Sequence, residues 1–230
     1  MLLLPPGTRW PEADRLAVVD ALRATTMIAM LLHRGARSVI AAAEERIARR
    51  LAAGQAGAVL AGEVGGLPPP GFDLGNSPSA VSAEAVAGRD VVLFTTNGTR
   101  ALCSAAAQGQ TAAAAAVNAS AAARWLANGN RAVIVCAGEA RGTSFALEDF
   151  AGAACIVARL PRLRLGDGAL LTQQLADPAA LISASRHAEE LRRLELSADI
   201  AVAQQVDLID LVPVVVERGD GWVRLEATRA

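Results

Sequence analysis

The chain has 230 residues, 53% of them hydrophobic, and a formal net charge of -1, which is typical of one compact domain with a buried core. The balanced charge and the aromatic content of only 3% argue against a nucleic-acid-binding protein. None of the apolar stretches reaches the roughly 20 residues of a membrane span, so we expect no membrane protein.

Short apolar runs alternate with helical patterns along the chain, which predicts an α/β fold. We expect layered α/β/α architecture with a mostly parallel sheet built from repeat-like βαβ units. In the first part of the chain the pattern predicts, in order, a strand over 16–19, a helix over 25–33, a strand over 38–42, a helix over 44–53 and a strand over 58–61. The next part predicts a strand over 90–94, a helix over 100–107, an ambiguous segment at 111–117 placed as a strand, a helix over 119–127 with Asn118 as its cap, a strand over 131–136 and a helix over 145–160.

Residues 166–205 predict more polar helices, and the chain closes with two apolar runs around a Gly/Asp turn, which predict a β-hairpin. The hairpin could form an edge of the sheet or a small interaction surface. With Trp222 it could serve a homodimer, and it could equally complete the sheet. We expect a single domain over 1–230. A repeated order of strand, Thr-rich loop, helix and strand leaves two lobes, about 1–88 and 89–230, as an alternative.

The cysteines predict a reduced, cytoplasmic protein. Cys103, Cys136 and Cys155 are odd in number and widely spaced, unlike a disulfide framework or a zinc site. At the other end of the chain, Met1–Leu4 is followed at once by two prolines and lacks a basic region, so we expect no signal peptide there.

Polar loops follow several predicted strands, beginning at Asp20, Glu63, Thr95 and Gly138. Because the carboxyl ends of parallel strands meet at one edge of a sheet, we expect these loops to converge on a small ligand. The Gly-rich loop over 71–78 adds a carboxylate, an amide and a hydroxyl to this set.

Acidic side chains in or beside these loops predict a divalent metal site. Oxygen ligands without a histidine cluster suit Mg²⁺, Mn²⁺ or Ca²⁺ rather than zinc, and Mg²⁺ takes only one or two carboxylates. The candidate metal ligands are Asp20, Glu63, Asp73, Glu148 and Asp149. The structural alternative is an Asx-turn at Asp20 and acids that complement a helix dipole at 148–149.

Hydroxyls, amides and guanidinium groups in the same loops predict an anion site at helix amino ends. The anion must be held by arginines, because the chain contains no lysine. The candidate phosphate-binding residues are Arg23, Thr25, Thr26, Asn76, Ser77, Thr96, Asn97, Gly98, Thr99, Arg100 and Arg141. Ordinary capping by single threonines is the alternative, and His33 and His187 are assigned to structure or surface.

Five motifs in order carry a resemblance to a known family. They are Asp20-Ala-Leu-Arg-Ala-Thr-Thr26, Gly62-Glu63 with Gly65-Gly66, Gly71-Phe-Asp-Leu-Gly-Asn-Ser-Pro78, Thr95-Thr-Asn-Gly-Thr-Arg100, and Cys136-Ala-Gly138 followed by Leu147-Glu-Asp149. Together with Ser185-Arg-His187 and Asp199-Ile200 they closely resemble the 2-phosphosulfolactate phosphatase family, over about residues 16–213. One departure is Val64, which stands where the family often has arginine.

The resemblance implies a magnesium-dependent α/β phosphatase that converts 2-phosphosulfolactate to sulfolactate and phosphate, a step of coenzyme M synthesis in some organisms. We expect Asp20, Glu63 and Asp149 to be catalytic, with direct attack by water favoured over an aspartyl-phosphate on Asp20. Two alternatives stay open: a phosphatase for another phospho-hydroxy acid, and a non-catalytic protein that binds phosphorylated ligands.

Overall fold

The computed structural model of the chain describes residues 11–161 and 164–229, so the segment judged above as a poor signal peptide lies outside the described residues. One sheet contains eight strands. They are β1 Arg15–Val19, β2 Ser38–Ala42, β3 Val59–Gly62, β4 Asp90–Phe94, β5 Gln110–Ala114, β6 Ala132–Cys136, β7 Val212–Gly219 and β8 Trp222–Thr228.

Helices connect these strands. They are α1 Ala24–His33, α2 Glu45–Ala53, α3 Ala83–Val86, α4 Gly98–Ala106, α5 Ala119–Ala127, α6 Leu147–Val157, α7 Asp167–Thr172, α8 Pro178–Ser183, α9 Arg186–Arg193 and α10 Ser197–Ala203. Short 3₁₀ turns lie at Pro78–Ala80, Ala116–Asn118 and Ala140–Gly142. None of the helices in 11–161 and 164–229 has the length and apolar character that a membrane crossing requires.

The strand order is β3-β4-β2-β8-β7-β5-β1-β6. Two parallel triplets, β3-β4-β2 and β5-β1-β6, are joined by the antiparallel hairpin β7-β8. The predicted α/β architecture with a C-terminal hairpin is therefore confirmed. The expectation that the hairpin forms an edge is wrong: it lies at the centre of the sheet, where its apolar side chains Val212, Val223 and Leu225 are buried.

Helices cover both faces of the sheet, because alternate residues of each strand belong to different cores. Leu16 and Val18 of β1 pack with α1 and α4, whereas Ala17 and Val19 pack with α5, α6 and the C-terminal helices. Ile40 of β2 packs against α2 in a third, smaller core. These layers match the α/β/α prediction.

The sheet curls around α1 and α4, and this curvature assembles the site. Three antiparallel pairings in succession separate β2 from β5, so the two parallel triplets run in opposite directions along the sheet. The loops after β1 and β4 nevertheless touch, because a Cβ placed on Gly98 would lie 2.5 Å from Asp20 Oδ2. Within each triplet the loops share one edge, as the sequence suggested, because β1 and β6 are parallel neighbours and so are β3 and β4. Between the triplets there is no common edge, and the curvature brings the two pairs of loops together.

Asn118 is the N-cap residue of α5, as predicted, but its side chain makes no capping hydrogen bond within the described residues. Its Oδ1 accepts from the N–H of Ala115 at 2.8 Å, and its Nδ2 donates to the carbonyl of Leu211 at 3.2 Å. The side chain thus joins the end of β5 to the start of β7, since a buried amide satisfies the backbone groups that face it.

Candidate active site

Asp20 ends the buried strand β1 and forms an Asx-turn into α1. Its Oδ1 accepts from the N–H of Ala24 at 3.1 Å. The hydroxyls of Thr25 and Thr26 donate to the carbonyls of Asp20 and Ala21 at 2.9 and 2.8 Å, so both are held by local backbone. Asp20 Oδ2 has no hydrogen-bond donor among the residues the structure describes, and it is the oxygen that lies against Gly98.

Asp149 joins the loop after β1 to the loop after β6. Its Oδ1 accepts from the N–H of Ala21 and its Oδ2 from the N–H of Gly138, both at 2.9 Å. Burial, reinforced by the negative charges of Asp20 and Glu148, raises the pKa of Asp149 well above its ordinary value. The carboxylate therefore holds two loops of the site in place.

His187 of α9 enters the same cluster, which the sequence did not predict. Its Nδ1 lies 3.1 Å from Glu148 Oε1. Burial alone would lower the pKa of His187, but the hydrogen bond to Glu148 and the charges of Glu148 and Asp20 raise it above its ordinary value. Ser185-Arg-His187 was noted as a family-like string, but its helical pattern gave no sign of contact with an acid 39 residues away.

The pKa of Asp20 is raised from 3.8 to about 6. Burial is the largest cause, and the charges of Glu63 and Glu148 add to it, whereas His187 and the N–H of Ala24 oppose it. A cluster of this kind favours either a bound proton or a bound cation, because each one relieves the repulsion between buried carboxylates.

Glu63 connects the loop after β3 to the loop after β4. Its Oε1 accepts from the N–H of Thr96 at 2.8 Å, and its Oε2 accepts from the N–H of Gly66 at 2.9 Å. Thr95 and Thr99 cap each other reciprocally at the start of α4. The N–H groups of Gly98 and Arg100 have no partner among the described residues, so the amino end of α4 is open to an anion.

Two clefts meet at Thr96. The first has a volume of about 360 Å³ and is lined by Glu63, Thr96, Asn97 and His187 among others. The second has a volume of about 620 Å³, and its lining includes Val64, Arg46, Arg100 and Arg141. Arg46 pairs with Glu44, whereas the guanidinium groups of Arg100 and Arg141 have no partner in residues 11–161 and 164–229. Glu44 and Glu45 also line the second cleft, and Arg186 lines the first, so a cleft with an excess of acids adjoins one with an excess of arginines.

Asp20, Glu148 and Asp149 are buried and line neither cleft, and four further candidates also lie outside both clefts. Asp73 is exposed, and its Oδ2 accepts from the N–H of Leu60 at 2.8 Å, so the structure does not bring it to the acid cluster. Asn76 is buried, and its Oδ1 has no hydrogen-bond partner among the described residues. Ser77 donates to Asp199 at 2.6 Å. Arg23 is also buried, and it donates to Asp199 at 2.8 Å and to the carbonyl of Gly66 at 2.7 Å.

The acid cluster offers few oxygens to a cation. Within residues 11–161 and 164–229, no group of three or more His, Cys, Asp or Glu side chains is arranged to hold a metal ion. Asp20 and Glu148 each keep one carboxylate oxygen without a hydrogen-bond donor in the same part of the chain. Because Mg²⁺ in proteins uses one or two carboxylates and completes its shell with water and substrate oxygens, this donor set fits it.

The fold and the site together define an α/β protein in which the amino end of a helix lies beside buried carboxylates. A sequence model of 2-phosphosulpholactate phosphatase matches residues 8–218. The chain belongs to this family.

Three curated relatives, each named a probable 2-phosphosulfolactate phosphatase, illustrate the similarity. The Deinococcus radiodurans protein is 40% identical over 230 residues, which cover 94% of this chain and 93% of the relative. The Carboxydothermus hydrogenoformans protein is 34% identical over 219 residues, covering 93% and 91%. The Thermus thermophilus protein is 37% identical over 221 residues, covering 91% of each. By name, these relatives are phosphoric monoester hydrolases.

Proposed function

We propose that this protein hydrolyses 2-phosphosulfolactate to sulfolactate and phosphate. Family membership and the names of the relatives support this substrate. The observation that carries the proposal is the contact between Asp20, at the centre of a buried acid cluster, and Gly98, at the open amino end of α4. A helix end that attracts an anion, set against a carboxylate, suits a reaction at a phosphate group.

The amino end of α4 is the proposed phosphate site. The N–H groups of Gly98 and Arg100 are free, and the helix dipole favours negative charge at this end. Such fixed donors stabilise the charge on a transferring phosphoryl group, which is the main contribution of a protein to this chemistry. Thr96 and Thr99 shape the turn through their backbone and hydroxyl contacts.

Mg²⁺ is the proposed cofactor, held by Asp20 and Glu148. A phosphate beside these two carboxylates would be repelled without a cation. Burial already raises the pKa of Asp20, and the charges of Glu63 and Glu148 add to it. When bound, the ion neutralises charge on a phosphate oxygen and increases the acidity of coordinated water. Asp149 and Glu63 have both oxygens occupied by backbone N–H groups, so their proposed role is to fix the loops.

The second cleft is proposed to receive the carboxylate and sulfonate of the substrate. Arg100 and Arg141 line it with unpaired guanidinium groups, whose planar donors match the oxygens of these anions. Because the two clefts share Thr96, one small molecule can reach both. Val64 leaves this cleft with an apolar wall where the family often has arginine.

Direct attack by water is the proposed reaction. A water bonds to phosphorus while the ester P–O bond breaks. Its proton passes to water in the open cleft, which returns a proton to the departing alkoxide. The alternative with a phosphoryl group on Asp20 makes a different prediction, since it would leave a phosphoenzyme that can be trapped.

The test is phosphate release from 2-phosphosulfolactate, 2-phospholactate and p-nitrophenyl phosphate, with Mg²⁺ and then with excess EDTA. We expect release that is fastest for the sulfonate and is lost with EDTA, and we expect folded Asp20→Asn to be inactive. Release only from the other esters would support phosphatase activity and refute 2-phosphosulfolactate as the substrate. No release by the folded wild type would leave a protein that binds phosphorylated ligands without turnover.

A further inference from the structure

We infer that the buried ion pair between Arg23 and Asp199 is a positioning element of the active site that sets the place of Glu63. This inference rests on the proposed function, because it assigns a role in the same cleft. The pair lies outside the cleft, and neither residue lines it.

Asp199 is the centre of a dense set of hydrogen bonds. Its side chain is fully buried in α10 and accepts from Arg23 Nη1 at 2.8 Å. It also accepts from Ser77 Oγ at 2.6 Å and from both the N–H and the hydroxyl of Ser79, at 3.1 and 2.6 Å. One carboxylate therefore joins α10, the loop over 71–78 and the start of α1.

Arg23 extends this set to the catalytic loops. Its second guanidinium nitrogen donates to the carbonyl of Gly66 at 2.7 Å. The N–H of Gly66 donates to Glu63 Oε2, and Glu63 Oε1 accepts from the N–H of Thr96 at 2.8 Å. A continuous series of hydrogen bonds thus runs from Asp199 to the turn that begins α4.

Stability alone does not account for an ion pair in this place. Removing two charges from water is costly, and well-packed apolar residues of similar volume often give equal or greater stability. An apolar pair, however, cannot donate to the carbonyl of Gly66. What the guanidinium adds is a fixed position for the loop that carries Glu63, which in turn holds the N–H of Thr96 at the turn that begins α4. Errors of about 1 Å in the geometry of the phosphate site at that turn can cost about 100-fold in rate.

Three changes separate positioning from stability. Asp199→Asn breaks the ion pair, and Arg23→Lys keeps a charge for Asp199 but cannot also reach Gly66. The double variant Arg23→Met/Asp199→Leu replaces the pair with apolar side chains. The matched control is Asp90→Asn, which removes another buried, arginine-paired carboxylate at the opposite end of β4 from Thr95.

The measurements are the melting temperature, kcat and KM for 2-phosphosulfolactate, and hydrogen exchange of residues 62–67 and 95–98. We expect Asp199→Asn to melt earlier, to lose about 100-fold in kcat with a smaller change in KM, and to exchange faster in both segments. Arg23→Lys should lose about 10-fold in kcat. The double variant should regain the melting temperature but not kcat, and Asp90→Asn should lose melting temperature while its kcat and exchange stay unchanged.

The inference is overturned if the double variant regains kcat together with stability, or if Arg23→Lys and Asp199→Asn exchange like the wild type in both segments. Hydrogen exchange does not require turnover, so it tests the inference even if the wild type releases no phosphate. A failure of the proposed function and a failure of the positioning role therefore give different results.

Discussion

Gly98→Ala is predicted to damage the active site although alanine is the better helix former. The new Cβ would lie 2.5 Å from Asp20 Oδ2 and 2.5 Å from Ala24 Cβ. Carbon atoms in contact prefer about 3.5 Å or more, so one partner has to move by about 1 Å. The atoms it meets belong to a short, backbone-tied turn and a buried methyl, neither of which is the far end of a flexible side chain.

We expect kcat/KM to fall about 100-fold, because a displacement of about 1 Å moves Asp20 relative to the amino end of α4. The free energy of unfolding should fall by about 1–3 kcal/mol, as for other overpacked sites. The assay is phosphate release with urea denaturation of the same preparation. The control is Gly54→Ala, whose Cβ would meet its nearest atom at 3.5 Å. A Gly98→Ala protein with wild-type kcat/KM and equal or greater stability would refute the contact between α4 and Asp20.

Three further changes test other parts of the site. The pKa of Asp20 rises from 3.8 to about 6 on folding, so the free energy of unfolding should fall by about 3 kcal/mol as the pH rises between these values. Asp20→Asn in metal-free buffer should flatten that part of the pH profile of unfolding, and an unchanged slope would contradict the raised pKa. His187→Asn should lower kcat at least 10-fold, since it removes the imidazole that contacts Glu148 and lines the first cleft. Steady-state kinetics equal to those of the wild type would exclude His187 from the site. Arg100→Ala should raise KM for 2-phosphosulfolactate by about 10-fold or more and KM for p-nitrophenyl phosphate by less, because a charged hydrogen bond is worth about 1.5–3 kcal/mol. Arg50→Ala, at an exposed position, is the control, and equal effects on both esters would contradict a separate arginine cleft.

Most elements of the fold were predictable because their signals are local. The strands over Ser38–Ala42 and Asp90–Phe94 have the predicted bounds, since each is a short apolar run between polar turns. The central position of the hairpin was not predictable in this way. An apolar run shows that a strand has buried faces, but the neighbours of that strand depend on pairings distant in the chain, such as Ala112 with Val214.

The site shows the same division between local and distant signals. Asp20 and Thr95 follow buried strands, and that position is visible in the sequence. The contacts of His187 with Glu148 and of Arg23 with Asp199 join residues 39 and 176 positions apart, which no motif spacing reveals. Arg23 and Arg100 occupy similar places in the two repeat-like units, yet one is buried in an ion pair and the other lines an open cleft.

The most direct test of the central claim compares kcat/KM for 2-phosphosulfolactate with kcat/KM for 2-phospholactate, which lacks the sulfonate. We expect phosphate release from both esters, with kcat/KM about 10-fold or more higher for the sulfonate. This preference should be lost in the double variant Arg100→Ala/Arg141→Ala. Equal values for the two esters in the wild type, or a preference that survives the loss of both arginines, would contradict a site made of an acidic phosphate cleft and an adjoining arginine cleft.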